Sequence, residues 1–220
     1  MENNYGNINR RNLLRHLSFG ALSGITILNM GCNATTTRKE NENVISKPLK
    51  PVLTKVGETQ KAPDGIDFGF KLRSNQTNGQ FSCAEEILAP KTLGVSLHMH
   101  DKLDEIMRVQ EGTVHVLVGE EIFEVNAGEW HFRPHGIPHA YWNPTDKPAK
   151  FNDMFLNQDF DNFLDELLRM ANRLSQQNIA PDSQKAEELF APIAKQYGFI
   201  NFPEKTPYLL KKYGLKMANL

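Results

Sequence analysis

Two neighbouring stretches decide the fold: HMHDKLDE at residues 98–105 and GEWHFRPHGIPHAYWN at residues 128–143. Six of the seven histidines in the chain lie between positions 98 and 139, in these stretches or between them. A histidine taken alone is most often an ordinary core or surface residue. Six of them gathered in and between two separately spaced patterns indicate a built site instead.

The spacing of these residues predicts a metal site. On an extended strand, residues i and i+2 point to the same face, so His98 and His100 present two imidazoles side by side. Glu105 follows a short turn and can return on the neighbouring strand, and His139 follows the turn PHGIP and opens another apolar run. Three neutral imidazoles and one carboxylate suit a divalent transition metal with open positions for water or substrate.

The two stretches resemble the two motifs of the cupin superfamily. HxHxxxxE, followed by Gly112, is similar to the first motif. The second motif is matched by a glycine, a proline, a second glycine, the histidine and an asparagine, which are Gly128, Pro134, Gly136, His139 and Asn143. One departure precedes the first motif, because Gly94 lies four residues before His98 where the family usually has glycine six residues before. The resemblance covers residues 60–157 and is more specific for the fold than for the reaction.

The remaining pattern of residues 61–157 predicts a mainly β domain. Many short strands, separated by Gly and Pro turns at intervals of about 8–12 residues, are typical of an antiparallel sandwich or barrel. One hairpin is expected to turn at Gly119 and Glu120, and Pro134 and Pro138 are expected to stiffen the turn before His139. The cupin resemblance narrows this to a jelly-roll β-barrel.

The period of two also predicts which side chains share the interior with the ligands. Ser96, Met107 and Val109 should face inward, as should Tyr141 and Asn143 on the strand of His139. The residues expected to line a substrate pocket are Met107, Tyr141 and Phe155.

The other histidines and the second cysteine receive separate interpretations. His115 is either an acid or base near the metal or, preferably, a partly exposed strand residue. His135 should stay in its turn, and the orientation of His131 is left open. Cys83 is expected to be a small buried hydrophobic residue.

Residues 158–220 predict a helical extension that packs on the outside of the barrel or forms a dimer contact. Apolar residues recur at helical spacing from Phe160 to Leu174. A second helix should start at Asp182 or Ser183, with Pro192 as a break or kink, and a third should start at Thr206-Pro207. A homodimer is therefore left open.

The N-terminal residues 1–31 resemble an export signal. Arg10, Arg11 and Arg15 precede the apolar run 17–30, which is too short and glycine-rich for a transmembrane helix. Gly31-Cys32 is similar to the end of a bacterial lipobox, which predicts a lipid anchor on Cys32; a simple signal peptide or an uncleaved anchor is the alternative. The arginine pair also resembles a twin-arginine signal, with an ordinary secretion signal as the alternative.

Residues 32–60 are polar and predict a linker. The expected location is therefore the periplasm or cell envelope, with membrane attachment through the lipid alone. A formal net charge of −1 in 220 residues gives no electrostatic argument for a nucleic-acid partner, and two cysteines do not form a disulfide framework. The expected partner is a small-molecule substrate.

The cupin resemblance implies three alternative functions. The first is a quercetinase-like dioxygenase acting on a small phenolic or flavonol-like compound, with Glu105 as both metal ligand and catalytic base. The second is a redox-neutral isomerase, lyase or decarboxylase acting on a sugar or carbonyl compound, and the third is a module that binds a ligand or metal without turnover. The expected cofactor is one divalent ion among Fe, Mn, Ni, Co, Cu and Zn, since the ligand set does not choose among them.

Overall fold

The computed structural model describes residues 48–57, 65–180 and 183–218. The export signal, Cys32 and most of the predicted linker lie outside the described residues, and the predictions made for them stay predictions. Within the described ranges, no helix is both long enough and apolar enough to cross a bilayer.

The described part of the chain contains twelve strands in two sheets. In chain order they are β1 (Ile66–Leu72), β2 (Phe81–Leu88), β3 (Thr92–Leu93), β4 (His98–His100), β5 (Asp104–Glu111), β6 (Thr113–Val118), β7 (Glu121–Asn126), β8 (Trp130–Arg133), β9 (His139–Trp142), β10 (Ala149–Leu156), β11 (Phe199–Asn201) and β12 (Lys216–Met217).

The first sheet has the antiparallel order β1-β2-β10-β5-β8. Its three central strands bury every second residue along most of their length, as the period of two predicts for a sheet with one inner face. On β5 the buried positions are Glu105, Met107 and Val109, so the predicted inward direction of these side chains is confirmed.

The second sheet has the order β11-β4-β9-β3-β12, with β6 paired to both β9 and β7. The hairpin of β6 and β7 turns at Gly119 and Glu120 as predicted. The main core cluster joins residues of both sheets, among them Val109 and Phe151 from the first and Val116 and Tyr141 from the second. The two sheets therefore enclose one core, and the predicted jelly-roll barrel is confirmed.

The C-terminal segment contains the three predicted helices, α1 (Phe160–Gln176), α2 (Gln184–Gln196) and α3 (Thr206–Tyr213). The side chain of Ser183 accepts a hydrogen bond from the Ala186 amide and so caps α2. Pro192 lies inside α2, and the helix continues past it for a full turn.

The same segment adds two strands that the sequence does not predict. β11 pairs with β4, which carries His98 and His100, and β12 pairs in parallel with β3. Strands of two or three residues are too short to show a period, so only their pairing reveals them. The segment is therefore part of the second sheet as well as a helical cover.

Gly198 and Gly214 form a matched pair for measuring how closely β11 is held against β4. Both follow a helix in the left-handed conformation, with φ of 61° and 62°. A Cβ at Gly198 would overlap the carboxylate of Asp101, whereas the space beside Gly214 is open. We expect Gly214→Ala to cost about 1 kcal/mol from backbone strain alone. Gly198→Ala should cost roughly 0.5 kcal/mol more, because the exposed side chain of Asp101 must turn to another rotamer.

Urea unfolding measures both free energies. In an Asp101→Ala background the overlap is removed, so the two glycine substitutions should then cost the same. Equal costs already in the wild-type background would contradict this packing of β11.

Candidate metal centre

The four predicted ligands come together in the interior of the barrel. His98 and His100 lie on β4, Glu105 on β5 and His139 on β9, and one ligand atom from each lies within 4.8 Å of all the others. All four residues are buried. The register of the second sheet brings His98 directly opposite His139, and the turn after β8 is tied to β4 by a hydrogen bond of 2.7 Å from the Gly136 amide to the His100 carbonyl.

Backbone carbonyls determine the tautomer of two of the imidazoles. Nδ1 of His98 lies 2.9 Å from the Ser96 carbonyl, and Nδ1 of His139 lies 3.0 Å from the Ile137 carbonyl. Because a carbonyl oxygen can only accept, both Nδ1 atoms carry the proton and both Nε2 atoms have a free lone pair. This is the arrangement typical of metal-binding histidines, in which the second nitrogen fixes the orientation of the ring.

Two buried nitrogens in the cluster have no hydrogen-bond partner among the described residues, namely Nε2 of His100 and Nε2 of His139. Nε2 of His139 lies 2.7 Å from Oε2 of Glu105, but with the ring proton on Nδ1 it has no hydrogen to donate to that oxygen. Buried polar atoms are normally satisfied, so unsatisfied nitrogens that converge with a carboxylate fit a bound cation. The donor set therefore fits a divalent transition metal.

The protonation states also fit metal binding. Burial and the neighbouring imidazoles lower the pKa of His98 well below its usual value, and burial lowers the pKa of His100 to about 4. Burial alone would raise the pKa of Glu105, but Arg133 and His139 outweigh it and hold that pKa well below the usual range. At neutral pH His98 and His100 are neutral and Glu105 is ionised, so metal binding requires no proton release from these three residues.

Arg133 holds Glu105 in place and was not identified from the sequence. Its guanidinium is fully buried and donates from Nε to Oε2 of Glu105 at 3.1 Å and from Nη2 to Oδ2 of Asp153 at 2.6 Å. The Arg133 guanidinium thereby fixes the orientation of the Glu105 carboxylate. The available signal was an arginine on the inner face of a strand, immediately before the motif residue Pro134.

The C-terminal segment covers the metal-ligand cluster. The ring of Phe199 on β11 stacks on His98 with 5.1 Å between centroids, and Phe160 on α1 meets His100 edge to face at 5.4 Å. The helical extension was expected on the outside of the barrel or in a dimer contact, but it packs against the ligands themselves. The reason is that the apolar stripe of α1 contributes phenylalanines to the mouth of the barrel.

A cavity of about 260 Å³ lies beside the ligands. The barrel contributes apolar residues such as Ile66 and Phe68, and the C-terminal segment contributes Phe163, Leu167 and Phe190. The polar side chains that reach the cavity are Glu86, Ser96, His98, Glu105, Tyr141, Asp153 and Asn201. The cavity is therefore an apolar chamber with its polar groups concentrated on the barrel side.

The predicted pocket residues separate into two groups. Tyr141 and Phe155 line the cavity. Met107 points inward, but it is fully buried in the main core cluster and does not line the cavity. Gly94 packs directly on the ring of Tyr141, and a Cβ there would overlap the ring. Asn143 fixes the following turn through hydrogen bonds to the Leu88 and Lys147 carbonyls.

The remaining candidates lie away from the ligands. His115 is partly exposed and packs against Trp142 and near Glu124, which confirms its interpretation as a strand residue. His135 stays in its turn, where Asp104 binds its amide and its ring. Cys83 is half-buried, and burial raises the pKa of its thiol to about 11, so it is unreactive at neutral pH.

Residues 84–155 match the family described as Cupin domain. The matched residues lie within the barrel and include all four residues of the ligand cluster. No curated protein sequence matches the chain.

Solved structures with a similar fold include three from different organisms. TT1209 of Thermus thermophilus is 25% identical, with 43% of this chain and 86% of that chain covered and a TM-score of 0.39. KdgF of Halomonas sp. is 18% identical, with 48% and 90% covered and a TM-score of 0.42. An oxalate decarboxylase of Bacillus subtilis with Mn(II) centres is 20% identical, with 47% and 28% covered and a TM-score of 0.39. TM-scores this low carry no argument about substrate or reaction.

Removing one ligand should remove the metal. We expect the wild-type protein to hold one divalent ion per chain, and His100→Ala and His139→Ala to weaken its binding by more than the roughly 10–100-fold that loss of an outer partner costs. Elemental analysis and competition with a chelator measure this. His135→Ala is the matched control because it removes a histidine of the same stretch that lies outside the cluster. Full metal content in either ligand variant would contradict the assignment.

His131 predicts a pH dependence of stability. Burial, and then the charge of Arg133, lower its pKa from 6.5 to about 4, so the folded protein keeps it neutral. In the unfolded chain His131 binds a proton once the pH falls below its ordinary pKa of 6.5, whereas in the folded protein it does not. The folded protein therefore has its full stability at higher pH and loses part of it as the pH falls toward 4. Relative to His131→Gln, the wild-type protein should lose on the order of 1 kcal/mol between about pH 7.5 and about pH 5, allowing for solvent screening. Urea unfolding at both pH values is the measurement, and an unchanged difference between the two proteins would contradict it.

Proposed function

We propose that this protein is a metal-dependent oxidoreductase of the dioxygenase type that acts on a small hydroxylated aromatic compound. The observation that carries the proposal is the apolar cavity of about 260 Å³ that opens onto His98 and Glu105. A substrate in this cavity lies against the ligand cluster and is otherwise surrounded by apolar and aromatic side chains.

The lining of the cavity favours one substrate class over the others. Among the described residues, neither lysine nor arginine lines the cavity, since Arg133 is engaged by Glu105 and Asp153 behind the wall. Sugar phosphates and dicarboxylates require cationic partners for their charges. An aromatic ring instead gains from burial against Phe68, Phe155 and Phe163. This favours an aromatic ligand, which the first of the three functions requires, over a sugar phosphate or a dicarboxylate.

The volume of the cavity limits the size of the expected substrate. Its volume of about 260 Å³ lies just below the roughly 300–1,000 Å³ of pockets that hold drug-sized ligands. A compound of one or two rings is therefore the expected substrate.

The ligands, Arg133 and the covering phenylalanines have different roles in the proposed reaction. A metal held by the four ligands would supply an electrophilic centre for a substrate oxygen and access to oxygen chemistry. Arg133 keeps Glu105 ionised, which strengthens its role as ligand and reduces its affinity for a proton. Phe160 and Phe199 cover the cluster and exclude water from it.

The location of the protein is a further part of this proposal. The export signal in residues 1–31 and the lipobox-like cysteine Cys32 support a cell-envelope protein tethered by its lipid. The polar residues 32–60 would let the barrel stand away from the membrane surface. The substrate would then be met outside the cytoplasm.

Oxygen uptake tests the proposed reaction. We expect metal-loaded protein to consume O2 with catechol-type compounds, and metal removal or His139→Ala to abolish the uptake, because the electrophilic centre is lost. His135→Ala should keep full activity. Turnover of a sugar or carbonyl compound without O2 uptake would replace this proposal with the redox-neutral class. Binding of phenols without any turnover would replace it with the ligand-binding module.

A further inference from the structure

Glu86 is a second buried carboxyl group on the wall of the cavity. It lies on the inner face of β2, two strands away from Glu105 in the first sheet, and its exposed fraction is 3%. Both residues line the same cavity. The hydroxyl group of Tyr141 donates to Oε2 of Glu86 at 3.0 Å. The described residues form no hydrogen bond to Oε1, which leaves that oxygen for the contents of the cavity.

The charges around Glu86 favour its neutral form. The inner wall holds three buried carboxyl groups, and Arg133 contacts two of them, Glu105 and Asp153. Glu86 has no cationic contact among the described residues, and a buried carboxylate without one is strongly disfavoured. Consistent with this, burial and the charge of Asp153 raise the pKa of Glu86 well above its usual value, outweighing the hydrogen bond from Tyr141.

In the neutral acid the two oxygens of Glu86 differ. Tyr141 donates to Oε2, so Oε2 is the carbonyl oxygen and Oε1 carries the proton. The O–H group on Oε1 is then a hydrogen-bond donor beside apolar walls. An unsatisfied donor in such a place costs free energy, and a ligand that supplies an acceptor relieves the cost.

We propose that Glu86 is a specificity-determining residue: as a neutral carboxylic acid it donates a hydrogen bond to an acceptor oxygen of the bound substrate. This inference rests on the proposed function for the identity of the cavity. It specifies the ligand as a ring-sized apolar molecule with two polar features. One is the oxygen that faces the metal ligands, and the other is a carbonyl or ether oxygen that faces Glu86.

Two catechols that differ in one substituent test this. 3,4-Dihydroxybenzaldehyde carries a carbonyl acceptor where 4-methylcatechol carries a methyl group of similar size. Calorimetric titration of the Zn²⁺-loaded, full-length protein without O2 measures binding of each, because Zn²⁺ has no redox chemistry. The aldehyde also acidifies the ring hydroxyl groups, so the informative quantity is the change in the affinity ratio between protein variants.

We expect the ratio of the two affinities to fall about 5–10-fold in Glu86→Leu, because the donor is lost. In Glu86→Gln the ratio should stay within about 3-fold of the wild-type value, because the amide NH2 group can still donate. Metal content should be unchanged in both variants. An ionised Glu86 would repel the carbonyl, so Glu86→Gln would then raise the ratio sharply and overturn the inference.

The remaining outcomes separate this inference from the proposed function. An unchanged ratio in Glu86→Leu, or no binding of either catechol to the wild-type protein, overturns the role of Glu86 even if O2 uptake is observed. The expected changes in ratio support it even if no O2 uptake is found, and in that case only the dioxygenase proposal fails. If Glu86→Leu does not fold, Glu86→Gln alone still distinguishes a neutral Glu86 from an ionised one.

Discussion

The site depends on one buried arginine. Arg133 bridges Glu105 and Asp153 in the interior of the barrel, where both carboxylates are buried. Its charge is compensated on both sides, so it remains in the folded protein at a place where an unpaired cation would be strongly destabilising. Because Arg133 holds the pKa of Glu105 low, the ligand is already ionised. Nε and Nη2 of Arg133 contact Glu105 and Asp153 but not Glu86, and burial raises the pKa of Glu86 well above its usual value. The pKa values of two carboxyl groups in the same cavity are therefore shifted in opposite directions.

The metal ligands could be predicted from the sequence because local rules determine them. His98 and His100 share a face by the period of two, and a turn returns Glu105 to the neighbouring strand. The helices of the extension could also be predicted, since their apolar spacing and their caps at Ser183 and Gly214 are local signals. His98, His100 and Glu105 lie within 7 positions of one another, and each cap lies beside its own helix, so local geometry fixes these relations. His139 lies 34 positions beyond Glu105 and was predicted from the spacing of the second motif.

The rest of the site depends on contacts between distant segments. Glu86 meets Tyr141, 55 positions away, and only the pairing of sheets decides that both face the cavity. Phe199 reaches His98 through a strand of three residues that has no period to detect. Met107 faces inward as predicted, yet direction alone does not say whether an inner residue meets the cavity or the packed core. The alternation of residues along a strand predicts which face of the sheet a side chain lies on. Its position along the barrel depends on the register between strands, which the sequence does not show.

The two short C-terminal strands also have a consequence for solubility. β11 and β12 occupy the two ends of the path through the second sheet, next to β4 and β3. Without them, the strand that carries His98 and His100 would present a row of unpaired amide and carbonyl groups, which is a template for pairing with another chain. Strands as short as β11 and β12 pair poorly with a strand of another chain, so they cover the edges of β4 and β3 without exposing a long new edge. The segment that covers the metal ligands therefore also protects the protein from edge-to-edge aggregation.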